Sequence, residues 1–600
     1  MKLWPVSRKP ERRPAMIAIR HVFGGFIMSV VSRIALTTLA LAGLLYVSGP
    51  ARAAITIDLS YVNQTSAEYQ RFKNWVDQAV AGNPGYAFSA TDAVTMYRLS
   101  GQQAYANLAI AMVEAQVAGA EAAIALGQRP EVAGDSYLDA GPMIGDLALT
   151  LDWCSALIPQ AQRNRWSAYA EQAVWNIWHP SQAQWGGIAF PWSGWSITDP
   201  ANNYYYSFLQ ATMYWALATN NSTWMQLLQN DKLPALTAYF ATIDGGGSEE
   251  GTAYGLSHRS VFSLYRVWRD STGVDLSTVN GHLDASIAWW IHATVPTLDR
   301  VAPIGDQARV SEPVIYDYHR DLMLEARAMS TNAGARDDAA WWLHSISDQT
   351  MESGFNYRHN LLPNGTGGTP PASLTYYASG TGQLFTRTGW DTGAMWLQFS
   401  AGPYVQSHAH QNQGSFTLFE GDWLAATENM WTHSGIQQVT NVHNLVRFIH
   451  NGITVPQHEG TMSSMQVVPG AGGDVHVVAN LTPAYAGDAA VQSWQRTLDF
   501  AHRTLSVHDQ FSLGANSSAV FQINVPVQPV IVGRSATAGN LHVRVISPAN
   551  ATLSALNWTT QSVPGDETYY SGWRIDVSGG STEYLVELSG RDLIFASGFD

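Results

Sequence analysis

The sequence predicts an α+β multidomain protein in which a helical half precedes an antiparallel β half, and three observations carry that expectation. Between about Gln64 and Thr350, apolar residues recur three or four positions apart. After that the pattern switches to alternation of apolar and polar residues, enriched in Val, Thr and aromatics. A turn-rich stretch, Asn364 to Ser373 (NGTGGTPPAS), lies between the two. The expected divisions are a leader over 1–53, a helical domain over 54–363, a linker over 364–375 and a β domain over 376–600.

The leader is read from order and composition. Met1 to Ala53 holds eight Lys or Arg and one acid, then an apolar run from Ile34 to Val47 and a small-residue cleavage site at Ala51-Arg52-Ala53. That is the plan of a secretory signal, with cleavage expected after Ala53 and a periplasmic or secreted destination. No later segment is expected to span a membrane. Setting those nine charges aside lowers the formal net charge from −15 to −22. Such a chain does not bind nucleic acid through its overall field, and it meets a polyanion only where basic residues cluster locally. Cys154 is the only cysteine, so no internal disulfide forms.

In the helical half the clearest segments are Ala106–Ile124, Gly141–Leu157, Ala161–Trp178, Tyr204–Ala218, Ser257–Trp268 and Leu283–Ala293. In the β half they are Gln383–Trp390, Ala394–Ser400, Ser415–Ala425, Val475–Leu481, Arg496–His508, Ala519–Val525, Leu541–Ile546 and Tyr584–Leu588. So many successive antiparallel strands imply a sandwich or stacked sheets.

The densest chemistry runs from Ser407 to Phe416 (SHAHQNQGSF) and on through Trp423, Glu428, His443 and Asn444. On a strand, His408 and His410 would face one side, as a metal pair or as one ligand beside one working imidazole. A second cluster lies in the helical half. It joins Asp199-Pro-Ala-Asn202-Asn203-Tyr204 to the glycine-rich Asp244–Tyr254 (DGGGSEEGTAY).

Together, Arg387-Thr-Gly-Trp390, His408-x-His410, Gly414-Ser415-Phe416, Gly421-Asp422-Trp423-Leu424 and His443-Asn444 resemble the heparinase II/III-like lyases, which include heparinase II and the oligoalginate lyases. The resemblance implies an (α/α) toroid followed by an antiparallel β-sandwich or stacked-sheet domain. It also implies β-elimination on a uronate-containing anionic polysaccharide such as alginate, a glycosaminoglycan or an exopolysaccharide. By that resemblance His408 lies at the active site, and His410, Glu428 and His443 hold a structural Zn2+, with no organic cofactor. Asn203 and Tyr204 stand in the family's Asn-Asn-His segment, and Tyr254 stands where the catalytic tyrosine is presented. Three positions depart from the family pattern. Asn412 replaces an Asp, Glu428 stands near an expected Asp, and Tyr204 replaces a His.

β-Elimination needs the uronate carboxylate neutralised, a base for the C5 proton and an acid for the leaving oxygen. The Asn203 amide, helped by Asn202 or His408, suits the first task. Tyr254, a phenol with an ordinary pKa of about 10, and His408 are the candidates for the other two. Glu250, His258 and Arg387 are further candidates for contact with substrate. Two rival readings are a glycoside hydrolase on a helical toroid, with Glu249 and Glu250 as its acids, and a glycan-binding protein without catalysis.

Overall fold

The computed structural model describes residues 54–307, 312–346, 357–562 and 567–590. The expected leader lies outside the described residues. All thirteen α-helical segments among them lie before Ile346, and the strands after it build three large antiparallel sheets and one two-stranded pair, Pro403–Tyr404 with Thr461–Met462.

Local chemistry sets the helix boundaries. Ser89 and Asp92 form a capping box that opens the helix Ala90–Ser100, and Gly101 ends it in the left-handed conformation (φ 72°). Asn202 caps Asn203–Thr219, its side chain accepting from the Tyr204 N–H. The expectation that no later segment is long and apolar enough to span a membrane is corrected by the helix Gln103–Ala125, which is so by length and its mean hydropathy of 1.5. One side of it, Ala106, Ala109, Val113, Val117 and Ala120, packs into the helical core.

The strand expectations hold in outline and miss at the turns. Arg496–His508 is two strands, Val491–Ala501 and Thr504–Leu513, joined at His502-Arg503, where both residues take positive φ. Those strands centre an eight-stranded sheet. A five-stranded sheet contains Val446–His450 and Ser517–Val525, and a second contains Gln383–Arg387, Trp396–Ser400 and Phe416–Glu420. Side chains from all three sheets share one core, including Leu397, Phe399, Phe448, Phe521, Leu498 and Val507. This is a stacked-sheet arrangement.

The sheet holding Gln383–Arg387 also faces the helices. Its Phe385, Trp396 and Phe419 belong to the same apolar cluster as the helical core. Polar ties cross the same boundary: Trp289 donates to the Gln383 side chain at 2.9 Å, and Trp396 donates to the His292 carbonyl at 3.0 Å. A seam both apolar and hydrogen-bonded fixes one half against the other, so side chains from each can meet in a defined geometry.

Candidate functional site

One stretch of backbone in the helical half organises the site. The Ile304 carbonyl accepts from the Thr252 N–H at 2.9 Å, and the Ala302 carbonyl accepts from the Thr252 hydroxyl at 2.7 Å. This anchors the short helix Gly251–Tyr254 that presents Tyr254. Gly251 is required there: its φ is +86°, and a Cβ would lie 2.0 Å from the Ile304 oxygen. Two residues on, Asp306 donates its N–H to the His408 carbonyl at 3.0 Å. The same segment thus seats the tyrosine and grips the histidine loop of the β half.

That loop is not a strand. Residues 405–415 are irregular between strands, which corrects the expectation that the histidines face one way by strand alternation. What unites them is Asp306. His408 Nδ1 lies 2.9 Å from Asp306 Oδ2, and His410 Nε2 lies 2.8 Å from Asp306 Oδ1. Against a carboxylate each of those nitrogens serves as the donor. Burial by itself raises the Asp306 carboxyl; the hydrogen bonds from His408 and His410 outweigh that and hold it below the ordinary carboxylate value. The Tyr254 and His408 rings lie face to face, their centroids 3.4 Å apart and their planes within 9°.

The scaffold behind the loop is polar and buried. Arg496 forks onto Asp509 at 2.8 Å and also donates to the Gly414 carbonyl. Asn444 donates to the Phe416 carbonyl at 2.8 Å. Gly414, Phe416 and Asn444 therefore help hold the loop's shape through their backbone contacts.

Across the site, Asn203 begins its helix with Oδ1 buried and unbonded. The Asn202 amide lies 3.4 Å from Glu250 Oε1. Burial, aggravated by the charges of Asp199 and Asp306, pushes the Glu250 carboxyl up to about 8, so it is protonated at neutral pH. The Tyr204 hydroxyl donates to Asp135 Oδ1 at 3.0 Å. Burial first, then the Asp135 charge, raises its pKa well above that of an ordinary phenol. Asp135, Ser136 and Tyr137 all have positive φ, a strained turn that aims the carboxylate at Tyr204.

Two expected substrate contacts are placed elsewhere. His258 is buried among Tyr206, Phe240, Phe262 and His282, and burial drives its pKa well below the ordinary value. It is a neutral core histidine. Arg387 is fully buried under Trp390, donating to the His292 and Thr294 carbonyls at 2.9 and 2.7 Å. Burial lowers its pKa to about 9, and its contacts tie the halves together.

Of the expected zinc ligands, His443 Nε2 and both Glu428 carboxylate oxygens are buried without a hydrogen-bond partner, whereas His410 is engaged by other groups. Both His410 nitrogens are engaged, Nε2 by Asp306 and Nδ1 facing the Asn429 amide at 3.4 Å. That amide is fixed with its nitrogen inward, because Asn429 Oδ1 accepts from the Gln437 N–H at 2.9 Å. His443 is buried with Nε2 unbonded, and its ring centroid lies 5.1 Å from that of His410. Glu428 is buried against Gly572 and Tyr569, and burial holds its carboxyl well above the ordinary value. Among the described residues, the group with ligand atoms all within 4.8 Å, one that could hold a metal ion, is Asp321, Glu325 and His359. Its oxygens already meet Arg259 at 3.1 Å and Arg266 at 2.7 Å.

The hydrolase pair is also dispersed. Glu249 accepts from the Tyr239 hydroxyl at 3.0 Å, whereas Glu250 turns to Asn202. Sequence reasoning missed Asp306, Asp135 and Asn429. Asp306 sits in Gly305-Asp306-Gln307 after an apolar run, and that adjacency was the one available signal.

No family model matches the sequence, and no curated protein matches it. Solved structures do match the fold. A heparan sulfate lyase HepC variant from Pedobacter heparinus superposes with a TM-score of 0.55 at 13% identity, covering 89% of this chain and 86% of that one. Heparinase III gives 0.55 at 14% identity, covering 90% and 80%. A chondroitin AC lyase variant from Streptomyces coelicolor A3 gives 0.52 at 9% identity, covering 88% and 80%.

Proposed function

We propose that this protein is a polysaccharide lyase that cleaves a uronate-containing polysaccharide by β-elimination on an (α/α) toroid joined to stacked sheets. The observation that carries the reading is the contact of a phenol from the helical half with an imidazole from the β half. That imidazole is held by a buried carboxylate. Lyases of the same fold, named for heparan sulfate and chondroitin, support it.

In this reading the C5–H and C4–O bonds of a uronate break while a C4=C5 double bond forms. His408 Nε2 takes the C5 proton, with Asp306 stabilising the imidazolium that results. The Tyr254 hydroxyl gives its proton to the departing oxygen. The Asn203 amide holds the uronate carboxylate, and the protonated Glu250 adds no negative charge beside it, so charge moving toward that group in the transition state is stabilised. Because the two rings are in contact, both proton transfers occur on one face of the sugar. Tyr204, bonded to Asp135, lines the site without entering the proton path. No step uses a metal. The expected export signal fits a substrate found outside the cell.

The test is a panel of uronate polysaccharides scored for ultraviolet-absorbing unsaturated product, which hydrolysis does not make. Tyr254→Phe should lose turnover while keeping its fold; full activity in that variant removes the assignment.

A further inference from the structure

The helical half also holds a cavity of about 320 Å³, within the range of small-ligand sites. It is ringed by residues of five helices: Ala90–Ser100, Ala140–Trp153, Asn203–Thr219, His258–Thr272 and Asp317–Met329. One of these helices, Asn203–Thr219, starts at the site already described, and another, His258–Thr272, begins four residues after Tyr254. Gln210 lines the cavity seven residues after Asn203, about 10 Å along the helix axis at 1.5 Å per residue, the reach of a disaccharide. Arg259 lines it five residues after Tyr254.

The lining is heavily charged, yet each charge is already matched. Arg358 donates to Asp92 at 2.9 Å, and Arg259 donates to Asp321 at 3.1 Å. His359 Nδ1 meets the other Asp321 oxygen at 2.6 Å. Asp146 is capped by the backbone N–H groups of Ala90 and Thr91 at 3.1 and 3.0 Å. Asp92 and Asp321 are themselves buried. A site for sulfate or carboxylate needs cations in excess of their partners, and this wall lacks that excess. Beside these paired guanidinium and carboxylate groups, Gln210 and Ser260 also line the cavity, so its wall carries both donor and acceptor groups without a surplus of positive charge. Sugar hydroxyls, each of which donates once and accepts twice, suit such a mixed wall.

We infer that this cavity is a sugar subsite selecting an unsulfated, hydroxyl-rich unit of the chain being cleaved. The inference rests on the lyase reading and narrows it: the substrate is a uronate polymer carrying no sulfate on the sugar that reaches this position.

Two substitutions leave the ion pairs intact. Ser260→Phe fills the cavity, and Gln210→Leu removes its amide at nearly constant volume. Initial rates are measured on unsulfated uronate di- to hexasaccharides and on sulfated counterparts. For chains long enough to reach the cavity, Ser260→Phe should lower kcat/KM about tenfold, chiefly through KM, which corresponds to about 1.4 kcal/mol. Gln210→Leu should lower it less, and neither should alter the rate on the shortest substrate. An equal effect at every length, or tighter binding of the sulfated chains, overturns the subsite. Should Ser260→Phe fail to fold, Gln210→Leu decides alone. If the wild-type protein makes no unsaturated product from any uronate, the lyase reading falls. Calorimetric titration of the same unsulfated oligosaccharides into wild type and variants then judges the cavity: binding lost in the variants supports it, and absent or unchanged binding refutes it.

Discussion

Replacing Asp306 with asparagine removes one carboxylate that two imidazoles share. Both contacts are short, 2.9 Å to His408 and 2.8 Å to His410, and Asp306 is only 6% exposed. Asparagine offers one carbonyl oxygen for two N–H donors, and its amide nitrogen must face one ring. Loss of a hydrogen bond to a charged group at about 1.5–3 kcal/mol corresponds to a fall in kcat of roughly 10- to 100-fold. KM should change little, since Asp306 touches no substrate in the proposed complex. Stability should fall too, with a pH signature. A carboxyl whose folded pKa lies below its unfolded value stabilises the fold above the unfolded value of about 3.9. That contribution is lost as pH falls through the folded pKa. The gap in melting temperature between wild type and Asp306→Asn should therefore be full at neutral pH and narrow on acidification below about pH 4. Initial rates of unsaturated product and calorimetric scans across pH measure both. Asp306→Glu, which keeps the charge, should recover part of kcat. Wild-type kcat in Asp306→Asn would refute the positioning role, and an equal loss in the Glu variant would show that packing, not charge, matters.

Three further outcomes follow from the same geometry. Glu250 has a folded pKa of about 8, above its unfolded value, so its stabilising protonation is lost as pH rises through that range; Glu250→Gln should flatten the decline in melting temperature between about pH 5 and 8, and an unchanged slope would count against a protonated acid there. Arg387→Met loses two hydrogen bonds but also a buried cation whose Nε and Nη1 have no partner, so stability should shift by only about 1–2 kcal/mol, with KM unchanged; a tenfold rise in KM would return Arg387 to the substrate. Treatment with a chelator decides the expected zinc: His443 Nε2 and both Glu428 oxygens are buried without partners, so loss of a bound ion should lower the melting temperature by several degrees, and an unchanged melting temperature would refute a structural metal.

Periodicity made the two halves legible because each element buries a face, and a buried face leaves a repeat in the sequence. The turn at His502-Arg503 left no such mark: two long strands with matching alternation read as one, and the positive φ of both residues is invisible to pattern. The site was legible where motif residues lie close in sequence, as in His408-x-His410 or Asn202-Asn203-Tyr204. Motif proximity also misled. Arg387, Gly414 and Asn444 belong to the same recognisable segments as His408, yet they shape or join backbone, since a loop that holds an imidazole in place constrains its scaffold as tightly as its working residue.

Asp306 shows why the rest was hidden. Its partners lie 102 and 104 residues away, and a lone carboxylate beside a glycine has no spacing that marks it. Its role arises only because the segment anchoring Thr252 continues directly to it, so that seating the tyrosine and orienting the histidine are one structural act. A substitution that shifts this segment without touching either ring therefore separates the two tasks from simple contact loss. Gly305 is the place to make it: its φ is +72°, and a Cβ would lie 2.6 Å from the Glu250 carbonyl and 3.0 Å from that of His408. Alanine there pushes both carbonyls apart at once, the first on the turn that leads to Tyr254 and the second on the histidine itself. The ring contact between Tyr254 and His408 is thus a property of backbone spacing at residue 305 as much as of the two side chains that make it.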